Sequence, residues 1–120
     1  MTYTLSFFIK GLPPTTNKVL AMGLRERLRS KKRWKEAVIY STVGKRPPSP
    51  LVKASLTLTR HSSIRPDPDG LTSTFKHIID GLVIAKVLQN DKFENIGFPK
   101  YEWIKAAKNE GKISVLVEEV

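Results

Sequence analysis

The chain predicts an α+β fold: a single small domain over residues 1–120, ordered β-α-β-α-β-β, with two helices packed on a mixed sheet. Three observations predict it. Two segments alternate apolar and polar residues, two others repeat apolar residues at helical spacing, and proline- or glycine-rich breaks separate them. At 120 residues the chain can bury one core with little to spare.

The first strand spans residues 2–10, with Tyr3, Leu5, Phe7 and Ile9 on one face and Thr4, Ser6 and Lys10 on the other; Phe8 interrupts the polar side. Gly11-Leu12-Pro13-Pro14 stops it, and Thr15-Thr16-Asn17 reads as continuing loop. A basic helix is expected over 24–42, with Leu24, Leu28, Trp34, Val38 and Ile39 supplying its core contacts. The segment Gly44 to Pro50 carries three prolines and reads as a surface connector. A second strand over 51–60 sets Val52, Ala54, Leu56 and Leu58 against Lys53, Ser55, Thr57 and Thr59. After the turn Pro66-Asp67-Pro68-Asp69-Gly70, a helix to about Val87 places Leu71, Phe75, Ile78, Ile79, Leu82 and Val83 at helical spacing. Two last strands are expected near 95–105 and 112–118, joined as a hairpin through Lys108-Asn109-Glu110-Gly111.

The formal net charge is +10, which points to nucleic acid or another anionic surface as partner. No run approaches the roughly 18 apolar residues of a membrane helix, so no membrane partner is expected. The start of the sequence lacks a basic leader with a small-residue cleavage site. The absence of cysteine excludes disulfides and thiolate metal sites and suits a reducing cytoplasm. With two histidines in all, His61 and His77, a structural zinc site is not expected, so any metal must be held by oxygen.

Against this cationic background the four aspartates of the chain, Asp67, Asp69, Asp80 and Asp91, all fall within residues 67–91. That window carries a charge of −2 while the remainder carries +12. Clustered carboxylates repel one another and phosphate alike, and a divalent cation on oxygen ligands relieves both repulsions. Asp67 and Asp69 lie two apart across Pro68, so an extended backbone points both carboxylates the same way. The same residues also read as a plain turn, with Asp69 capping the helix that follows.

If helix begins at Gly70, then Asp69, Lys76 and Asp80 share one edge of it. Asp80 would lie roughly 16 Å along the axis from Asp69, too far to share an ion, and is expected to hold Lys76 one turn earlier. Lys76 itself would reach the acids with an extended side chain, or through a turn capped by Thr72 or Ser73 that folds it back. Asp91 follows in the loop Gln89-Asn90-Asp91-Lys92, which could return beside Asp67. His61 precedes the turn by six residues and could line the site, although loop histidines are usually incidental.

Taken together, a strand running into Asp67-Pro68-Asp69, a helix with Lys76 and Asp80, and Asp91 eleven residues later resemble the RusA family of Holliday-junction resolvases. The early Leu12-Pro13-Pro14-Thr15-Thr16-Asn17 is similar to that family's proline-rich turn, and the resemblance runs from about Tyr3 to Val117. It implies a small homodimeric endonuclease of bacteria and prophages that resolves four-way or branched DNA by paired symmetric nicks. It further implies Asp67, Asp69 and Asp91 as ligands of one or two magnesium ions per subunit, and Lys76 as the catalytic lysine. Asp80, Asn17, Gly70 and Asn90 would be supporting residues, in a cytoplasmic, nucleoid-associated or phage setting. The chain departs from the family pattern at Gly70, where asparagine is usual, and at Asn90, where some members have aspartate. Its interval from Asp69 to Lys76 is also three residues longer than in some members.

Arg25, Arg27, Arg29, Lys31, Lys32, Arg33 and Lys35 put seven bases within eleven residues against Glu26 alone, a density that favours phosphate contact. Lys45, Arg46, Arg60 and Arg65 would extend this DNA-binding surface towards the acidic turn. No base-reading motif is present, so recognition of junction shape and backbone is expected. The competing readings are a basic nucleic-acid-binding protein whose aspartates only cap and turn, phage-borne or ribosome-associated, and a degenerate resolvase that binds junctions without cutting them.

Overall fold

Strand β1 (Thr4–Lys10) buries Leu5 and Phe7 and turns Ser6 and Phe8 outward, the period of two read in its sequence. In the structure, a computed structural model that describes residues 2–120, the chain continues through α1 (Thr16–Ala21) and α2 (Leu24–Ser41) to β2 (Ala54–Ser62). It then forms α3 (Pro68–Thr74), α4 (Lys76–Ile84), the single turn α5 (Phe93–Ile96), β3 (Lys100–Lys105) and β4 (Lys112–Glu119). The four strands make one mixed sheet in the order β1-β4-β2-β3. The class is α+β as expected, with short additions to the two main helical regions.

The strand order corrects one expectation: β3 and β4 do not pair as a hairpin. β4 lies between β1 and β2, antiparallel to both, while β3 pairs with β2 in parallel at the edge. Composition accounts for this. Ile113, Val115 and Val117 give β4 a fully buried inward row suited to a central position. β3 is Lys-Tyr-Glu-Trp-Ile-Lys, with the charged ends that protect an exposed edge. The β2-to-β3 connection must therefore cross over through α3, α4 and α5, as parallel pairing requires.

Three further differences bear on the site. The segment read as loop after Pro14 forms α1. In α2 the core contacts are Trp34 and Val38, with Ile39 partly buried, while Leu24 and Leu28 are exposed. The helix expected from Gly70 to about Val87 is interrupted at Phe75. The interruption follows hydroxyl-rich sequence: Thr72 Oγ1 donates to Pro68 O at 3.1 Å, and Thr74 Oγ1 to Gly70 O at 2.8 Å. Such bonds to preceding carbonyls compete with the helix ladder. Phe75, fully buried, serves as the joint between the two pieces.

In β2 the inward row runs Ala54, Leu56, Leu58, Arg60 and Ser62, all buried, whereas Val52 lies before the strand and is exposed. The same parity that buries two leucines therefore carries an arginine inward.

Helices α2 and α4 meet at Gly81, where an added Cβ would lie 2.8 Å from Val38 Cβ and 3.2 Å from Lys35 O. Neither neighbour can withdraw cheaply, since Val38 is fully buried and the other atom is helix backbone. Gly81→Ala is expected to destabilise the domain by about 1–3 kcal/mol through overpacking, despite alanine's better helix propensity. A urea midpoint equal to or above wild type would show that the two helices separate freely here.

Candidate functional site

Asp67 is the N-cap of α3: its Oδ1 accepts the Gly70 N–H at 2.6 Å, and Pro68 opens the first turn. Gly70 is buried under this cap, and a Cβ there would sit 2.9 Å from Asp67 Oδ1. Of the two readings the turn allows, capping is realised, and by Asp67 rather than Asp69. It occupies one carboxylate oxygen and leaves Oδ2 outside that bond. Asp69 lies in the same first turn, exposed, where the helix dipole favours an acid.

Both carboxylates line a cleft of about 460 Å³ between the turn and the start of α1. Asn17 and Lys18 contribute from α1, and Arg60 and Ser62 from the end of β2. Arg60 was expected on a surface widening towards the acids; it is 7% exposed, held at the back of their cleft. Its Nη1 donates to Pro13 O at 2.8 Å and to Thr74 Oγ1 at 3.0 Å. Among the described residues no carboxylate pairs with it, and Nε and Nη2 have no protein acceptor. Burial pulls its pKa below the ordinary arginine value, but a guanidinium stays charged at any ordinary pH. A largely buried cation is costly unless it keeps partners, and Nε and Nη2, which are not sealed from solvent, are free to take water or an anion.

Other expected site residues lie elsewhere. Lys76 begins α4 beyond the Phe75 joint and is exposed, outside the cleft lining. Asp91 is also exposed and outside that lining; its N–H is bonded by the Asn90 side chain at 2.8 Å. Among the described residues no three histidines or acids come together as a metal-holding group. The expected Lys76–Asp80 pair does not form among the described residues; Asp80 faces His77, with Oδ2 3.6 Å from Nδ1. That separation is too long for a hydrogen bond, and Nδ1 is buried without another partner. Burial lowers the His77 pKa more than Asp80 raises it, and Lys31 and Lys35 of α2 lower it further.

The basic run on α2 also divides. Arg27 caps the end of α1, donating to Val19 O and Leu20 O, and Arg46 does the same for α2 through Ile39 O. Arg33 lies over the Trp34 ring, and Lys31 and Lys35 stand near His77. Arg25, Arg29 and Lys32, at helical spacings of four and three, form the exposed outer row, with Lys32 near Glu36 at 3.9 Å. Arg65 stacks on Trp103, whose Nε1 donates to Ser62 Oγ at the cleft floor. His61 points away from the acids and pairs with Ser114 Oγ.

The feature underweighted in the sequence is Arg60. Its signal was parity: it falls two residues after Leu58 on the inward row. No protein-family model matches the chain, and no curated protein matches it significantly.

Because His77 has a lower pKa folded than unfolded, its contribution is fully present above about pH 6.5 and is lost as pH falls through the folded value. Urea midpoints of wild type should therefore fall between about pH 7.5 and 5.5 by more than those of His77→Gln. Equal falls would mean that His77 takes up its proton as readily in the folded protein as in the unfolded chain.

Proposed function

We propose that the chain is a magnesium-dependent endodeoxyribonuclease acting on branched DNA, a resolvase of the kind its sequence resembles, working as a homodimer. The observation that carries this reading is the juxtaposition in one cleft of two adjacent carboxylates and a buried, unpaired arginine. Asp67 Oδ2 and the Asp69 carboxylate are hard oxygen donors, and magnesium commonly takes one or two carboxylates while keeping several waters. When bound, magnesium supplies charge stabilisation at phosphate and lowers the pKa of water.

In this reading Arg60 receives the phosphate through Nε and Nη2, while Pro13 and Thr74 fix its fork. Lys18 adds positive charge at the mouth, and the outer row of Arg25, Arg29 and Lys32 contributes phosphate contacts away from it. Arg60 thus takes the role that the family resemblance gives to Lys76, which the longer interval from Asp69 displaces beyond the Phe75 joint. Two cuts related by two-fold symmetry match a C2 dimer bound to a four-way junction.

A second reading, nucleic-acid binding without cleavage, draws on the capping role of Asp67. The two separate on variants assayed by single-turnover cleavage of a labelled junction. Asp69→Asn should abolish cutting and keep or raise affinity, because it removes a negative charge beside phosphate. Arg60→Lys, which retains charge but loses the fork, should slow cutting by about 10²-fold. Lys76→Ala should stay within about three-fold of wild type, a change worth under 1 kcal/mol. Wild-type cutting by Asp69→Asn would refute the carboxylate site; a severe loss in Lys76→Ala with normal Arg60→Lys would return the role to Lys76.

The outer α2 row is tested separately. Arg25→Ala, Arg29→Ala and Lys32→Ala together should weaken junction binding and reduce the log–log salt slope by about 0.9 per lost contact. An unchanged slope would place DNA on another face.

A further inference from the structure

A second cleft, of about 770 Å³, opens beside the first, with Leu12 lining both. Four lysines reach it from separate parts of the chain: Lys10 at the end of β1, Lys105 at the end of β3, Lys108 in the following turn, and Lys112 at the start of β4. Glu110 is the one acid in its lining. Among the described residues none of the four lysines forms an ion pair. The strand order produces this convergence: with β4 inserted between β1 and β2, the 106–111 connection must pass across the end of β2, bringing Lys108 and the flanking Lys105 and Lys112 towards Lys10 of β1.

The floor is close-packed. Gly11 N–H donates to Gly111 O at 2.9 Å, and a Cβ on Gly111 would lie 2.8 Å from Leu12. One wall is aromatic, since Phe8 is 59% exposed on the outward face of β1 and Lys112 Nζ lies 5.2 Å from its ring centroid. Lysines solvated on a convex surface can spread apart, whereas these converge in a concavity and repel one another until an anion enters. A cationic groove with an exposed aromatic side chain is the general means of holding a single nucleic-acid strand, its phosphates on the lysines and a base on the ring.

We propose that this lysine cleft binds the sugar–phosphate backbone of a single-stranded nucleic-acid segment, with a base against Phe8. Leu12 lines both clefts, but Phe8 and His61 belong to the outward face of the sheet and Arg60 and Ser62 to the inward face, so a strand leaving the carboxylates would reach the lysines by turning around Leu12 at the end of the sheet. The proposal rests on the nuclease reading only for the route of that strand. His61 reports occupancy: burial and Lys112 now hold its pKa down, and a phosphate beside Lys112 reverses part of that effect.

The test is fluorescence anisotropy of the full chain with a labelled oligodeoxythymidylate of about fifteen nucleotides, across a salt series. Lys105→Ala with Lys108→Ala, both exposed positions, should raise Kd about ten-fold at low salt and reduce the log–log slope by about 1.4, at 0.7 per single-strand contact. Phe8→Leu, which keeps the position apolar, should raise Kd about five-fold or more through lost stacking. Oligonucleotide binding should move the His61 ring titration to higher pH. Unchanged affinity in either variant, or an unmoved His61 titration, would overturn the proposal. Asp69→Asn, assayed in parallel for junction cutting, tests the nuclease reading separately. If that variant still cut junctions the nuclease reading would fall while the lysine cleft stood or fell on its own variants.

Discussion

The structure turns on a guanidinium buried where the parity of a strand places it. β2 points Leu56 and Leu58 into the core, and the next inward residue is Arg60. Burying a charge without a carboxylate is unfavourable, and here it is offset by two fixed acceptors, Pro13 O and Thr74 Oγ1. Those acceptors come from the proline turn after β1 and the end of α3. A single side chain therefore ties the first loop, the central strand and the acidic helix together around one cleft. The proline-rich segment after β1 thereby acquires a structural role: a rigid backbone presents a carbonyl at a set position.

The acidic turn depends on the same arrangement. Asp67 both caps α3 and borders the cleft, so its carboxylate is oriented before any ligand arrives. Buried Gly70 is required by that cap, because a Cβ would press on the capping oxygen. The glycine at this position thus has a local cause. The hydroxyls that follow bond back to the carbonyls of Pro68 and Gly70, in competition with the helix ladder, and α3 ends at Phe75. Beyond that joint Lys76 and Asp80 belong to a separate helix, and Asp80 takes His77 as its neighbour.

Much of the fold was legible because its signals are periodic. The alternation in β1 and β2 and the helical spacing of Phe75, Ile78, Ile79 and Leu82 translate directly into burial. The strand order was not legible: a turn at 108–111 between two strand-like segments reads as a hairpin, and only competition for the central position moves β4 between β1 and β2. Charge was the least readable property. The dense run on α2 counted seven equivalent bases, but Arg27 closes the end of a helix and the charges of Lys31 and Lys35 act on His77 of α4. Four lysines that line one cleft, Lys10, Lys105, Lys108 and Lys112, are spread over a hundred residues and come together only in the folded sheet. Of the residues lining the acidic cleft, Asp67 and Asp69 were named from local pattern and Asn17 only through the family resemblance; Arg60 came from parity overriding the expectation that arginine is exposed.

The central claim is that the two carboxylates and Arg60 form a centre for phosphodiester hydrolysis. It is tested most directly by incubating the purified wild-type chain with an end-labelled four-way junction, in magnesium and in EDTA, and mapping the ends on a denaturing gel. The account predicts paired, symmetric nicks in magnesium and intact strands in EDTA. Tight junction binding with intact strands in both conditions would contradict it.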